Sequence, residues 1–568
     1  MTEKSISNAE GWAVLAFCMA ASAAAILWSW RHGAMLNYGD AVAHLHIARR
    51  VFDSRTPRFS QLGSVWLPLP HILLLPFVQN YFWWATGLAA IIPSSLSYVA
   101  SCVGIHRLAR CWLDPAPAAL ALVFFALNPN LLYLQTTAMT EPLFLCLVIW
   151  IVVWLVEWRA AIDGETAVAS FEPRSARSPR LQACIAVALI AAIFTRYDGW
   201  IIALIAWSGI AITLLRHAAK GERGRLAAPA FWLATVAIAA APLLWFLYNS
   251  VCFGDWLYFA RGPYSAHAIE LRTASSGGGP PHPGWHSPWV ALLYYLKVSE
   301  LDSVAAPGWG NVWGNIVLTL AALGTVGALI IEKSAARRRA LAWTLLLWLP
   351  VPFYAWSVAY GSVPIFFPAW WPYTWYNTRY GLELLPALAL GLGFAAQLAA
   401  GALRRGKVPS LASPLPKLAF TLLLVLAGQN ALALMRADPI VYVEGTKNAD
   451  ARQPYDDALP PALQSLLILD PRASMLMNTS TYPEIVSLTG ISLRQTINES
   501  DLEIFRSALA APATHAAIIV AFDGDEVDKA VKADLPDLTL MGRFTAENQP
   551  SAAIYVSTKW LDRSHTSF

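Results

Sequence analysis

Long apolar segments with almost no charged residues recur along this chain of 568 residues. Hydrophobic residues make up 57% of the sequence and charged residues 13%, and the mean hydropathy is +0.47. A helix needs about 20 apolar residues to cross the hydrocarbon core of a bilayer, and helices satisfy their own backbone polar groups there. The sequence therefore predicts a polytopic α-helical membrane protein with about eleven spans. They are expected near 11–30, 82–105, 116–134, 141–158, 181–195, 199–215, 228–248, 311–331, 341–360, 380–400 and 415–435.

Basic residues between the apolar segments predict the orientation in the membrane. If the N-terminus is cytoplasmic, the loops between spans on the cytoplasmic side hold 18 Lys/Arg, against 10 on the other side before residue 436. This bias agrees with the positive-inside rule. No convincing cleavage site follows the first apolar run, so we interpret that run as a retained anchor. We expect a multi-pass protein of the inner (cytoplasmic) membrane, with its C-terminal part outside the cytoplasm.

The last part of the chain has a different composition from the rest. Residues 436–568 contain 11 Lys/Arg and 18 Asp/Glu, whereas the whole chain carries a net charge of +4. The runs "HAAIIVAF" and "SAAIYVS" are typical of strands, and "ESDLEIFRSAL" has the spacing of an amphipathic helix. We therefore predict two domains: a membrane module over 1–435, including a first outer loop (about 31–81) with amphipathic helices, and an extracytoplasmic α/β domain over 436–568.

Polar residues collect on the outer side under this topology. The stretch "NYGDAVAHLHIARRVFDS" contains Asp40, His44 and Arg49, and it begins the first outer loop. Further charged or polar candidates lie at the outer ends of later spans: Glu141, Arg196, Tyr197, Asp198 and Arg379. Ionisable groups at such depths are costly unless they are paired or line a polar cavity, so each is a candidate site residue.

These residue types suit a particular chemistry. A carboxylate such as Asp40 can act as a general base toward an acceptor hydroxyl or amine. Asp40 and Glu141, if brought together, can share a divalent metal ion such as Mg²⁺, Mn²⁺ or Zn²⁺ through their oxygens. The guanidinium groups of Arg196 and Arg379 are suited to a phosphate at the level of the lipid headgroups. The combination indicates group transfer from a lipid-linked phosphate, which leaves as its bond to the sugar breaks.

Two of these motifs resemble a known superfamily. The first outer loop opens with an acid in "GDAVAHLHIARRVFDS", and "TEPLF" carries an acid followed by proline between the third and fourth spans. Both resemble the GT-C superfamily of polyprenyl-phosphate-sugar glycosyltransferases, and in particular its protein O-mannosyltransferase and aminoarabinose-transferase branch (glycosyltransferase family 39-like). The layout of about eleven spans, a large first loop and a C-terminal outer domain is also similar.

The resemblance implies roles for individual residues. Asp40 matches the catalytic carboxylate, and Glu141 matches a second acid that in some members helps to hold a metal ion. Arg196 lies where the family often has a basic residue that contacts the lipid phosphate. This chain departs from many relatives in having Gly39-Asp40 in place of an acidic pair. The implied function is transfer of a sugar from a polyprenyl-phosphate donor to a saccharide, lipid or protein acceptor on the outer face, with inversion at the anomeric carbon.

Simpler interpretations of the same residues stay open. Asp40 also suits the N-terminus of a helix, and Glu141 before Pro142 suits a first helical turn. His44 and Arg49 are also suited to contact with lipid headgroups or water. Arg196 and Asp198 could pair with each other. The long Arg379 side chain could extend to the membrane interface.

Two other functions also remain at this stage. One is a transporter or flippase for a lipid-linked saccharide, which usually shows internal repeats and midplane polar residues that are not evident here. The other is a non-catalytic membrane assembly scaffold. Membrane lipids are expected partners in each case, and nucleic acid is not. The Ala/Arg/Pro-rich composition suggests a bacterial source and a role in the cell envelope.

Overall fold

The computed structural model describes residues 7–164, 174–221, 228–273, 280–304, 310–405 and 439–566. Most of them are helical. The α-helices before residue 405 are Asn8–Arg31, Gly39–Arg50, Leu69–Leu74, Tyr81–Thr86, Ile91–Arg110, Pro115–Ala126, Pro129–Leu134, Glu141–Ile162, Arg174–Ile193, Asp198–Ala219, Pro229–Phe253, Tyr258–Arg261, Ala266–Thr273, Pro288–Ser303, Gly310–Ile331, Ala335–Leu341, Pro350–Tyr360 and Leu385–Arg405.

Eight helices in the described part of the chain are long and apolar enough to cross a membrane. They correspond to eight of the segments predicted from the sequence. Two more predicted spans, near 116–134 and 181–195, contain the shorter apolar helices Pro115–Ala126 and Ser178–Ile193. The first of these breaks at Asn128 and Pro129, where the Asn128 side chain caps a new short helix. The predicted span 415–435 and the domain boundary at 436 lie outside the described residues.

The chain divides into two compact units. The first contains 1–31, 64–69 and 92–444, and it holds the candidate spans. The second contains 32–63, 70–91 and 445–568. The structure thus groups most of the first outer loop with the C-terminal residues, whereas the predicted membrane module, 1–435, included that loop.

A five-stranded mixed sheet forms the centre of the second unit. Its strands are β1 (Met475–Met477), β2 (Thr496–Ile497), β3 (Ile518–Phe522), β4 (Leu538–Phe544) and β5 (Ala552–Ser557), in the spatial order β2-β1-β3-β5-β4. β1 pairs in parallel with β2 and β3, and β5 pairs antiparallel with β3 and β4. The α-helices from residue 440 onward are Ile440–Leu469, Glu484–Thr489, Glu503–Ala510, Pro512–His515, Glu526–Ala533 and Thr558–Thr566. The predicted α/β domain is confirmed.

Hydrogen bonds attach the first-loop segments to the C-terminal residues within this second unit. Asp53 accepts a bond of 2.5 Å from the Ser492 hydroxyl, and the Arg55 guanidinium donates to the Thr496 carbonyl at 3.0 Å. The Tyr81 hydroxyl donates to the Ser487 carbonyl at 2.6 Å. These bonds join segments more than 400 residues apart in sequence, so the loop and the sheet domain fold as one body.

A buried acidic pair in the second unit predicts a pH-dependent stability. Burial raises the pKa of Glu484 to about 8, an effect that Asp456 increases and Arg452 opposes. Burial also raises the pKa of Asp456 to about 6. The Tyr482 hydroxyl faces the carboxyl groups of Glu484 and Asp456. The folded chain therefore keeps protons that the unfolded chain releases, and stability falls as the pH rises from about 4.5 to about 8.

We expect the thermal midpoint of the solubilised protein to decrease across this pH range, and the decrease to shrink in Glu484→Gln, whose side chain does not titrate. Glu526→Gln is the matched control, because Glu526 is an exposed acid of the same unit. If the thermal midpoint falls equally steeply with pH in the wild type and in Glu484→Gln, the Glu484 carboxyl does not cause the pH dependence of stability.

Candidate active site

Glu141 occupies the first position of a long apolar helix and lies deep in the first unit. The helix Glu141–Ile162 begins with Glu141 followed by Pro142, a sequence that favours a helix start. Only 1% of Glu141 is exposed. Its Oε1 accepts hydrogen bonds from Arg196 Nη1 at 3.2 Å and from Arg379 Nε at 3.1 Å. Three of the residues predicted as site residues therefore meet at one carboxylate oxygen.

Arg196 is the centre of this cluster. It lies in the connection between the helices Arg174–Ile193 and Asp198–Ala219. Its Nη2 is 2.8 Å from both Tyr354 Oη and Glu383 Oε1, and its Nε is 3.4 Å from Asp198 Oδ2. The Tyr380 ring also lies beneath the guanidinium, 5.1 Å away. Arg196 and Asp198 do pair, as the simpler interpretation held, but within a larger network.

Arg379 extends the network toward Glu444. Arg379 is buried, and its Nη1 lies 3.5 Å from Glu444 Oε1. The Glu444 carboxylate also accepts bonds from the backbone N–H groups of Asn377 and Thr378, both at 2.8 Å. Glu444 therefore holds the start of the 3-10 helix Thr378–Leu384, which carries both Arg379 and Glu383. Because Arg379 is buried and paired with two carboxylates, its side chain does not extend to the membrane interface as a snorkelling arginine would.

Carboxylates outnumber guanidiniums in this region of the described structure. Glu141, Asp198, Glu383 and Glu444 surround Arg196 and Arg379, and all four acids are 5% exposed or less. Asp302 lies close by, with both carboxylate oxygens buried and without a hydrogen bond among the described residues. Burial, and then the nearby Glu444, raise the pKa of Asp302 well above its usual range. Burial without a hydrogen-bond partner among the described residues disfavours the charged form of Asp302.

Apolar side chains line a small space beside the acidic end of the cluster. Its volume is about 20 Å³, and it is partly open. Side chains from the helices Glu141–Ile162, Asp198–Ala219 and Pro350–Tyr360 line it, and its polar lining residues are Asp198 and Glu383. Its walls belong to candidate spans, so apolar side chains of these helices lie directly beside the charged cluster.

The remaining predicted residues lie elsewhere. Tyr197, in the first unit, donates from its hydroxyl to the Val65 carbonyl at 2.9 Å. Asp40, His44 and Arg49 belong to the second unit, on the helix Gly39–Arg50. The convergence of Asp40 with Glu141 and Arg196 stays a prediction.

The surroundings of the three second-unit residues differ. Asp40 is the second residue of its helix and is partly exposed, so it is not the N-cap, which is Tyr38. His44 is buried, with Nδ1 2.8 Å from Nε2 of His71. Arg49 Nε donates to Asp53 at 2.7 Å, and its guanidinium lies 4.5 Å above the Trp84 ring. These contacts give Arg49 a structural role, and its contact with a substrate stays a prediction.

The described residues contain no group of three or more His, Cys, Asp or Glu arranged to hold a metal ion. Oε1 of Glu141 is taken by two guanidinium groups, which is not the surrounding of a metal ligand. The surroundings of Glu141 Oε1 therefore do not fit the predicted metal ion.

Comparison with solved structures gives the fold. The chain is similar to ArnT from Cupriavidus metallidurans, bound to undecaprenyl phosphate, with a TM-score of 0.54 and 15% identity over 96% of this chain and 98% of ArnT. The chain has the fold of ArnT. The predicted polytopic α-helical membrane fold with a C-terminal α/β domain is thereby confirmed.

Two further similarities have lower scores. The archaeal oligosaccharyltransferase AglB from Archaeoglobus fulgidus, in complex with an inhibitory peptide and a dolichol-phosphate, has a TM-score of 0.48 and 11% identity over 97% of this chain and 74% of AglB. The arabinofuranosyltransferase AftD from Mycobacteria has a TM-score of 0.41 and 15% identity over 98% of this chain and 42% of AftD. No family model and no curated protein sequence matches the chain.

Sequence reasoning missed several members of the cluster. Glu383 lies inside the predicted span 380–400, and an acid in a span is itself a signal of a functional group. Tyr354 lies in the predicted span 341–360 and carries no comparable signal. Glu444 lies in the acidic C-terminal part, where its local sequence gives no reason to expect a contact with Arg379.

Proposed function

We propose that this protein is an integral-membrane glycosyltransferase that moves a sugar from a polyprenyl-phosphate donor to an acceptor on the extracytoplasmic face, with inversion. The observation that carries the proposal is the pair of buried guanidiniums, Arg196 and Arg379, that meet at Glu141 beside apolar side chains of the candidate spans. A polyprenyl-phosphate donor combines an apolar chain with an anionic end, so its chemistry suits this combination. The ArnT fold supports the same donor class, because the ArnT structure contains undecaprenyl phosphate.

The proposed chemistry is a single displacement. The acceptor O–H or N–H attacks the anomeric carbon, and Asp40 takes the proton as general base. The bond between the anomeric carbon and the phosphate oxygen breaks, and polyprenyl phosphate leaves with the electron pair. Attack opposite the leaving group inverts the anomeric centre, as in single-displacement glycosidases.

Arg196 and Arg379 stabilise the leaving phosphate in this proposal, and Glu141 positions both of them. The N–H groups of Arg196 are engaged by protein oxygens, so the phosphate has to replace one of its carboxylate partners. Of these partners, Glu141 is the one that we expect to stay bound to Arg196 when the phosphate binds, because one of its oxygens accepts hydrogen bonds from both arginines. Preorganised donors of this kind typically contribute about 100-fold or more to the rate.

A transfer assay tests the proposal. Membranes containing the protein are supplied with a panel of radiolabelled polyprenyl-phosphate sugars, and label in acceptor material is measured against membranes without it. We expect transfer from at least one donor, and a loss of roughly 100-fold in Glu141→Gln, since one removed electrostatic contact typically costs this much.

The control for that variant is Glu157→Gln. Glu157 lies on the same helix, is equally buried and pairs with Arg107 at 2.6 Å, far along the helix from Glu141. We expect transfer per folded molecule to be nearly unchanged for it, because 16 helical residues place the two carboxyl groups about 24 Å apart along the helix axis. Transfer from no donor would remove the proposal in favour of transport, and equal losses in both variants would remove the role of Glu141.

A further inference from the structure

The start of the helix that carries Asp40 is held by one guanidinium from the C-terminal domain. Arg452 lies on the helix Ile440–Leu469, in the same unit as the first-loop segment 32–63. Its Nη2 donates to the Leu36 carbonyl at 2.9 Å, and its Nη1 donates to the Asn37 carbonyl at 3.2 Å. These two carbonyls belong to the residues just before Tyr38, the N-cap of the helix Gly39–Arg50.

Two further observations place Arg452 against this helix start. A Cβ atom added at Gly39 would lie 3.3 Å from Arg452 Nη1, so the guanidinium also packs against the residue before Asp40. Thr446, from the same C-terminal helix, accepts a 3.4 Å hydrogen bond from the Asn37 side chain. The contacts therefore extend over Leu36, Asn37 and Gly39, and Asp40 is the next residue.

Arg452 also lies beside an acid. Its Nε is 3.0 Å from Glu484 Oε1, and both side chains are largely buried. A guanidinium presents its N–H groups in a rigid planar fork. With both Nη atoms donating to carbonyls and Nε beside Glu484, these groups and the helix start form a connected series.

We propose that Arg452 is a positioning residue for Asp40, acting by fixing the backbone from which the Asp40 helix begins. This inference rests on the proposed function, in which Asp40 is the base. A catalytic group displaced by about 1 Å can lose roughly 100-fold in rate, even when the change lies outside the reacting atoms. The C-terminal domain is thereby assigned a part in catalysis that requires no contact with substrate.

The experiment compares Arg452→Met and Arg452→Lys with the wild type in the transfer assay, using the donor that the wild type accepts. We expect kcat to fall more than about tenfold in Arg452→Met while KM for the donor changes less than about twofold, since positioning acts on the reaction step. Lysine keeps the charge but not the fork, so Arg452→Lys restores only part of kcat.

Hydrogen exchange supplies the readout that links rate to position. Amide exchange in a peptide covering 36–42 is expected to accelerate in Arg452→Met, while peptides from β3 and β5 exchange as in the wild type. If Arg452→Met does not fold, Arg452→Lys and Glu484→Gln carry the same test, each with a smaller loss of kcat and faster local exchange.

The matched control is Arg494→Met. Arg494 also donates from the C-terminal domain to a first-loop carbonyl, that of Phe52 at 2.9 Å, but beyond the other end of the Asp40 helix. We expect wild-type kcat for this variant. The inference is overturned if Arg452→Met has the kcat of the wild type. It is also overturned if Arg452→Lys has wild-type kcat and unchanged amide exchange at 36–42, or if Arg494→Met loses as much kcat as Arg452→Met. An inactive wild type contradicts the proposed function instead.

Discussion

Replacing Arg196 by methionine is expected to reduce sugar transfer by more than about 100-fold and to destabilise the protein by roughly 3–5 kcal/mol. The guanidinium lies within 3.4 Å of oxygens from Glu141, Asp198 and Glu383. Without it, three buried carboxylates lie together with only Arg379 for compensation among the described residues. Removing one partner of a buried ion pair leaves uncompensated charge, which is the costly case.

Arg196→Lys separates charge from geometry. An ammonium group keeps the charge but cannot contact several oxygens in one plane, so we expect partial recovery of stability and little recovery of transfer. If Arg196 also contacts the lipid phosphate, KM for the donor rises in both variants. Measurements are made on monodisperse protein, so that each rate refers to folded molecules.

Arg159→Met is the control for burial and charge. Arg159 pairs with Asp163 at 3.0 Å and donates to Thr213 at 2.8 Å, and it lies in the last turn of the helix that begins with Glu141. It should lower stability but leave transfer per folded molecule nearly unchanged. Similar losses of transfer in the Arg159 and Arg196 variants would mean that Arg196 acts through folding alone.

Asp40→Asn is expected to reduce transfer by about 100-fold to 10,000-fold, the range typical of a lost general base. Asparagine is nearly isosteric with aspartate but cannot accept a proton from the acceptor. Asp40 is the second residue of its helix, so loss of its favourable interaction with the helix dipole costs only about 0.3–1 kcal/mol. A structural role in the helix therefore predicts a small effect, and a catalytic role predicts a large one.

Glu526→Gln controls for this structural contribution. Glu526 is an exposed acid in the first turn of the helix Glu526–Ala533, in the same unit as Asp40. Its replacement should leave sugar transfer unchanged. It should lower the free energy of unfolding by no more than a few tenths of a kcal/mol. Asp40→Glu adds a second comparison, since it keeps the base and moves it by one methylene group. Transfer at the wild-type rate in Asp40→Asn would eliminate the assignment of Asp40 as base.

Much of the fold followed from periodicity and length, because a bilayer imposes strict limits on its helices. Glu503–Ala510, β3 and β5 were visible as an amphipathic helix and two apolar runs. β1 and β2 were not, since strands of three and two residues give no periodic signal. The division of the chain was also hidden, because hydrogen bonds such as Arg55 to Thr496 join segments 441 residues apart.

The candidate site shows the same contrast. Glu141, Arg196 and Arg379 were identified from the sequence as charged groups beside predicted spans, and the structure brings them together. Arg49 was selected for the same reason, and its contacts with Asp53 and Trp84 give it a structural role, while its contact with a substrate stays a prediction. A single sequence shows where charge is costly, and it does not show which charges are paired by their neighbours.

The most direct test of the central claim is the stoichiometry of the purified protein in liposomes. Polyprenyl-phosphate sugar labelled in both sugar and phosphate is supplied with the acceptor, and released polyprenyl phosphate is compared with sugar incorporated. A glycosyltransferase releases one polyprenyl phosphate for each sugar transferred, and only when acceptor is present. Movement of intact donor across the bilayer without release of polyprenyl phosphate would contradict the assignment as a glycosyltransferase.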